Sequence, residues 1–227
     1  MGKQLRQIFE HSHVATSLDY KDLSLDDPMF GDWQLPESLT KAVPKRQIEF
    51  MAGRLCAHHS LKTLGYAGTK YLQTGEHRQP IWPDGFVGAI SHSHGAAIAI
   101  AGHSSEWAGM GVDIEHFIES PSEGLIKQIC SLTESEQLNS LNGYTKGEVL
   151  TFIFSAKESL YKALFPRVGR FFGFGAAEVS LDLPQNSGVI RIVEDLAPFK
   201  KDEFFTVNFV TKSNYCISKI LIDTYAK

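Results

Sequence analysis

Residues 146–166 read KGEVLTFIFSAKESLYKALFP, and residues 110–115 read MGVDIE. In the longer stretch Ile153, Ala156, Leu160 and Leu164 recur at helical spacing, so one long helix is predicted over 146–164, stopped by Pro166. In the shorter stretch side chains alternate along a strand. Gly111, Asp113 and Glu115 then face one way, and Val112 and Ile114 the other. The apolar pair is expected to anchor the strand in a core and to leave both carboxylates on an open face. Glu158 and Lys162 are four residues apart and lie on one helix face beside the apolar stripe. Where such a helix meets such a strand, an acidic, oxygen-rich pocket with one cation beside it results. Hard oxygen ligands of this kind suit magnesium and a phosphate ester. Each half also has a plainer reading, namely a solvated acidic edge strand and a surface ion pair.

Outward from these two segments, Ile48, Met51, Ala52 and Leu55 predict a helix over 45–64, with Pro44 before it and Gly65 after it. Short apolar runs at 88–92, 96–101 and 110–115 read as strands. Residues 120–165 return to helix, with Thr133-Glu134-Ser135-Glu136 as an N-terminal cap and acidic first turn. Four further strands are expected at 177–183, 189–193, 204–210 and 215–222. Residues 1–40 read as irregular and partly strand-like, with turn signals at Asp26-Asp27-Pro28 and Pro36. The order helix, strands, helices, strands predicts an α+β protein of two lobes, 1–107 and 108–227, packed closely around residues 103–112.

At 227 residues, 43% hydrophobic and 21% charged, the chain has an ordinary globular composition and enough length for one good core or two small lobes. A net charge of −4 and a pI near 6.1 give no large basic footprint for nucleic acid. No apolar run is long enough to span a bilayer, and residues 1–32 lack a secretory-type apolar segment. Cys56, Cys130 and Cys216 are odd in number and far apart, which fits reduced thiols in a cytoplasmic protein.

Two further groups carry chemistry. Ile90-Ser91-His92-Ser93-His94-Gly95 ends a predicted strand, where hydroxyl and imidazole N–H groups suit phosphate oxygens; a hairpin turn with exposed histidines is the plainer reading. Arg46 and Arg54 lie on the first predicted helix, and Arg78 lies in a Gly- and Pro-bounded loop. Arginine captures phosphate through paired planar donors, although each arginine taken singly reads as a surface charge.

Together these stretches resemble the 4′-phosphopantetheinyl transferase superfamily, in its two-lobe monomeric branch and especially its enterobactin-synthase-associated type. The similar segments are PKRQIEFMAGRLCAHHSL at 44–61, RQPIWPDGFVGAISHS at 78–93, GVDIE at 111–115 and FSAKESLYKALFP at 154–166. The resemblance implies two pseudo-symmetric α/β lobes, each a small, mainly antiparallel sheet packed with a long helix, with the active site in the cleft between them. It implies transfer of phosphopantetheine from coenzyme A to a serine of an apo acyl, peptidyl or aryl carrier protein, with adenosine 3′,5′-bisphosphate as the other product. By position, Asp113, Glu115 and Glu158 match magnesium-binding carboxylates, and Asp113, Glu158 and Lys162 match the catalytic set. Ser91, His92, Arg46, Arg54 and Lys162 match coenzyme A contacts. Arg78-Gln79-Pro80 stands where many members have Gly-Lys-Pro, so a cation there has to come from Arg78. Another magnesium-dependent phosphate-ester enzyme, or a non-catalytic module that binds carrier proteins or coenzyme A, stands as the alternative.

Overall fold

In the computed structural model, the described residues are 6–10, 12–69, 71–140, 143–212 and 214–224. The chain divides into two compact units, Met1–Ala108 with Asp223–Lys227, and Gly109–Ile222.

In the first unit, β1 (Arg6–Glu10) and β2 (His13–Asp19) precede two short 3-10 turns, and α1 (Pro44–Thr63) follows. The hairpin of β3 (Gln73–Thr74) and β4 (Pro80–Ile81) leads into β5 (Phe86–Ser93) and β6 (Ala96–His103). β1, β2, β6 and β5 form an antiparallel sheet in that order. α1 starts at a proline, whose missing N–H costs nothing in a first turn, and ends where Gly65 takes a positive φ of 90°. Its apolar face, with Met51, Leu55 and Leu61, is buried with Leu18, Ala97 and Ala99 of the sheet. Gly53 lets the helix lie close to β5, since a Cβ there would stand 2.8 Å from Ile90 Cγ2. The β5–β6 connection is a two-residue turn with left-handed backbone at both His94 (φ 44°) and Gly95 (φ 93°). That is the turn whose twist matches a right-handed hairpin.

The second unit runs from β7 (Trp107–His116) through α2 (Glu123–Ile129), α3 (Leu132–Ser140) and α4 (Lys146–Val168) to β8 (Ala177–Asp182), β9 (Ser187–Ile192), β10 (Phe204–Lys212) and β11 (Tyr215–Asp223). Its five strands are ordered β7-β11-β10-β9-β8. The predicted α4 stripe is buried: Ile153, Ala156, Leu160 and Leu164 are at most 1% exposed. Thr145 and Glu148 form a reciprocal capping box at its start.

The helix does not stop at Pro166. It continues to Val168, and the stop is Gly169, whose left-handed backbone lets its N–H reach the Phe165 carbonyl. A proline this near the end forfeits one hydrogen bond without breaking the helix. The expected helical run 120–165 is three helices, and α3 is capped by Ser131 rather than Thr133. Ser131 Oγ accepts from Glu134 N at 3.3 Å, and Glu134 Oε2 accepts from Ser131 N at 2.7 Å. The fold is therefore α+β, with a mainly antiparallel sheet and one long helix in each unit.

Candidate functional site

The chemistry of the second unit begins with two glycines. A Cβ on Gly111 would stand 1.8 Å from the Ser159 carbonyl oxygen, and one on Gly109 would stand 2.6 Å from that of Ala163. Backbone of α4 therefore lies directly on β7. Asp113 is on the same strand face as these glycines, so it lies under the helix and is only 2% exposed. The expectation of an open carboxylate face fails for this reason. Only Glu115, beyond the tightest contact, is half-buried.

Close approach brings Lys162 to Asp113. Its Nζ donates to Asp113 Oδ1 at 2.7 Å and to the Val112 carbonyl at 3.2 Å. Lys162, four residues from Glu158 on the same helix, is thus bonded across to the strand. Glu158 is half-buried beside them. Burial, first, and the charge of Asp113 raise its pKa, while Lys162 opposes them. Two carboxylates and one ammonium thus form a single electrostatic cluster.

Among the described residues, no three His, Cys, Asp or Glu side chains are grouped so as to hold a metal ion. The three-carboxylate set of Asp113, Glu115 and Glu158 is not assembled as such. Magnesium, however, is commonly held by one or two carboxylates with water and substrate phosphate. Asp113 and Glu158 are hard oxygen donors of that kind on facing elements, so the residues present fit such an ion. A thiol nucleophile finds no support: burial pushes Cys216 up to about 12 and Cys130 up to about 11, and raises Cys56 as well.

Sequence reasoning missed the supports of this cluster. Lys157, 4% exposed, donates to Glu134 Oε2 at 2.7 Å and to the Ile129 and Phe174 carbonyls. Glu134 Oε1 also accepts from Val179 N at 2.8 Å. This buried pair ties α4 to α3 and β8. On another flank of α4, Ser155 and Ser159 bond to Ser218 of β11. Two serines four residues apart beside an apolar stripe were the available signal.

The first unit gathers cations. Arg46 Nη1 donates to His92 Nε2 at 2.8 Å and lies 3.4 Å from Glu49 Oε2. Because arginine only donates, this bond fixes Nε2 as the unprotonated nitrogen; Nδ1 is the one turned to Glu49, 3.9 Å away. Arg54 is 5% exposed. One of its terminal nitrogens donates to Thr74 Oγ1 at 3.1 Å, and its Cζ lies 4.7 Å from the Phe50 ring centroid. Its Nε is buried without a hydrogen-bond partner among the described residues. Burial lowers its pKa to about 10, and Arg46 adds to the lowering. The group still carries its charge at neutral pH, with no carboxylate in the first unit's described ion pairs set against it.

Ser91 is buried at the end of β5, on the strand that carries His92. Arg78 is not drawn in. It is exposed on the β3–β4 turn with a positive φ of 66°, a conformation that glycine adopts without strain. The Gly-Lys-Pro pattern has glycine at that very position.

Residues 35–102 match the family model for the 4′-phosphopantetheinyl transferase N-terminal domain. Residues 109–218 match that for the 4′-phosphopantetheinyl transferase superfamily. A 4′-phosphopantetheinyl transferase of Mycobacterium tuberculosis is 31% identical over 186 residues, covering 79% of this chain and 78% of its own. One from Nocardia iowensis is 32% identical over 149 residues, covering 66% of this chain and 65% of its own. Enterobactin synthase component D of Salmonella typhi is 33% identical over 144 residues, covering 63% and 58%. The chain thus spans less than two thirds of the length of the Nocardia and Salmonella relatives. The two family matches fall one on each unit, one over the arginine helix and the His92 strand, the other over the β7–α4 cluster. The chain belongs to the 4′-phosphopantetheinyl transferase superfamily.

Proposed function

We propose that the protein transfers the 4′-phosphopantetheine group of coenzyme A to a serine hydroxyl of an apo carrier protein and releases adenosine 3′,5′-bisphosphate. The observation that carries this reading is the Asp113–Lys162–Glu158 cluster, held together by the contact of α4 with β7. Phosphoryl transfer needs little from a protein beyond positioning and charge stabilisation, and this cluster supplies both.

Asp113 and Glu158, with Glu115 on the same strand face, would hold magnesium. When bound, that ion would supply positive charge to offset that of the phosphates. Lys162 places an ammonium at the same end. Glu158, half-buried beside Asp113 and Lys162, takes the proton of the attacking serine. The serine oxygen bonds to the phosphorus carrying pantetheine, and the bridging bond of that phosphorus to the nucleotide's phosphate breaks. Arg46, Arg54, Ser91 and His92 bind the phosphates of the nucleotide end. Arg78, exposed on its turn, has the weakest support.

The free thiols of Cys56, Cys130 and Cys216 support a reducing, cytoplasmic setting. A monomer is the working form in this reading. Likeness to enterobactin synthase component D supports siderophore and other nonribosomal-peptide carriers as the first partners to test.

The test is incubation with coenzyme A, magnesium and a panel of apo acyl, peptidyl and aryl carriers, read by intact mass. A gain of one phosphopantetheine on a carrier serine is expected. Nucleotide release without any carrier would instead indicate a phosphate-ester hydrolase. Binding without mass gain would indicate a non-catalytic module.

A further inference from the structure

We propose that Ser155, Ser159 and Ser218 are positioning residues that set the rotation of α4 and so align Glu158 and Lys162 on Asp113. All three serines are 0% exposed, as are their chain neighbours Ala156 of α4 and, two residues beyond Ser218 on β11, Ile220. Buried hydroxyls are costly unless bonded, and here every hydroxyl is. Ser218 Oγ donates to the Ser155 carbonyl at 2.8 Å. It also lies 2.8 Å from Ser155 Oγ and 2.6 Å from Ser159 Oγ, and Ser159 Oγ donates to the Ser218 carbonyl at 3.1 Å.

The consequence lies in directionality. Apolar contact is non-directional, so a purely aliphatic seam would let the helix turn or slide. Hydrogen bonds to one hub on β11 allow a single register. β11 neighbours β7 in the sheet, and Ser159 is also the residue whose carbonyl meets Gly111. At 3.6 residues per turn, Lys162 lies about 20° and Glu158 about 60° around the helix from Ser155. Lys157, anchored to Glu134 on the other flank, lies about 160° from Ser155, roughly opposite the seam. Glu158 and Lys162 therefore sit between two polar anchors. The catalytic groups reach their geometry because the helix cannot rotate.

The inference rests on the transferase reading, and the two fail separately. Ser218→Ala removes the hub; Ser159→Ala, a milder change, serves should the first not fold. Ile192→Val, trimming a fully buried β9 side chain, controls for stability loss. Each is measured by melting temperature, by steady-state transfer, and by manganese(II) binding in the presence of coenzyme A, followed by electron paramagnetic resonance. Expected for the serine variants are a fall in kcat of about tenfold or more with KM for coenzyme A nearly unchanged, and manganese binding weakened several-fold. Ile192→Val should keep both. Folded serine variants with wild-type kcat and manganese affinity would overturn the seam, as would equal losses in Ile192→Val. If the unaltered protein modifies no carrier, the transferase reading falls, and manganese affinity alone then decides the seam: weakened binding upholds it and wild-type binding overturns it.

Discussion

The buried cations of the two units are treated in opposite ways. Lys157 in the second unit has its charge fully answered: a carboxylate at 2.7 Å and two carbonyls surround the ammonium. Arg54 in the first unit is almost as buried, yet it has a threonine hydroxyl and an aromatic face instead of a carboxylate. A charge that is answered inside the protein contributes to structure. A buried charge left without an anion favours an anion from outside, because that ligand completes what the fold leaves open. Lys162 stands between these cases, paired with Asp113 but partly accessible, with side-chain exposures of 23% and 3% for the two. It can stay with its carboxylate and still face a phosphate.

The comparison can be broken most directly at the paired cluster. Asp113→Ala should lower turnover in carrier modification by about 10² to 10³, since it removes a hard oxygen ligand and leaves Lys162 without its carboxylate. Intact-mass kinetics would show it, and a loss below tenfold would mean that the cluster is structural. Next, Lys157→Met should destabilise the protein by about 3–5 kcal/mol in urea unfolding, because Glu134 is left buried and unanswered.

Arg54→Met sharpens the contrast. Melting temperature should hold or rise, as a buried charge without a carboxylate is replaced by an apolar side chain of similar length. Coenzyme A affinity by calorimetry should fall about tenfold to a hundredfold, the range expected for losing hydrogen bonds to a charged group. A large drop in melting temperature would place Arg54 with Lys157 among the structural cations. The smallest effect is expected at Arg191, whose bonds to Glu178 and Asp202 lie at a partly exposed surface. Arg191→Ala should cost less than about 1 kcal/mol.

What could be read from sequence follows the range of the interactions involved. Periodicity and turn chemistry are local, so α1, the α4 stripe, the β5–β6 hairpin and the four late strands were legible from neighbouring residues. The motif residues of β7 and α4 were identifiable because they cluster in two short segments. Partnership across elements was not legible. Spacing alone offers Lys162 its helix neighbour Glu158 as the plainer partner, whereas the approach permitted by Gly109 and Gly111 brings it to Asp113. Glu134 read as a first-turn acid, which it is, but nothing local marks it as the partner of Lys157, 23 positions away. Pro166 was overweighted as a stop because the burial of Phe165, 7% exposed, supports the helix through it.

In the proposed reaction the cations of the first unit bind and the cluster of the second does the chemistry. Steady-state kinetics of carrier modification against coenzyme A concentration, for Arg54→Met and Glu158→Gln in parallel, tests that division. Arg54→Met is predicted to raise KM with kcat nearly intact, and Glu158→Gln to lower kcat by about two orders of magnitude or more with KM nearly intact. The same parameter changing in both variants, or the two effects exchanged, would contradict it.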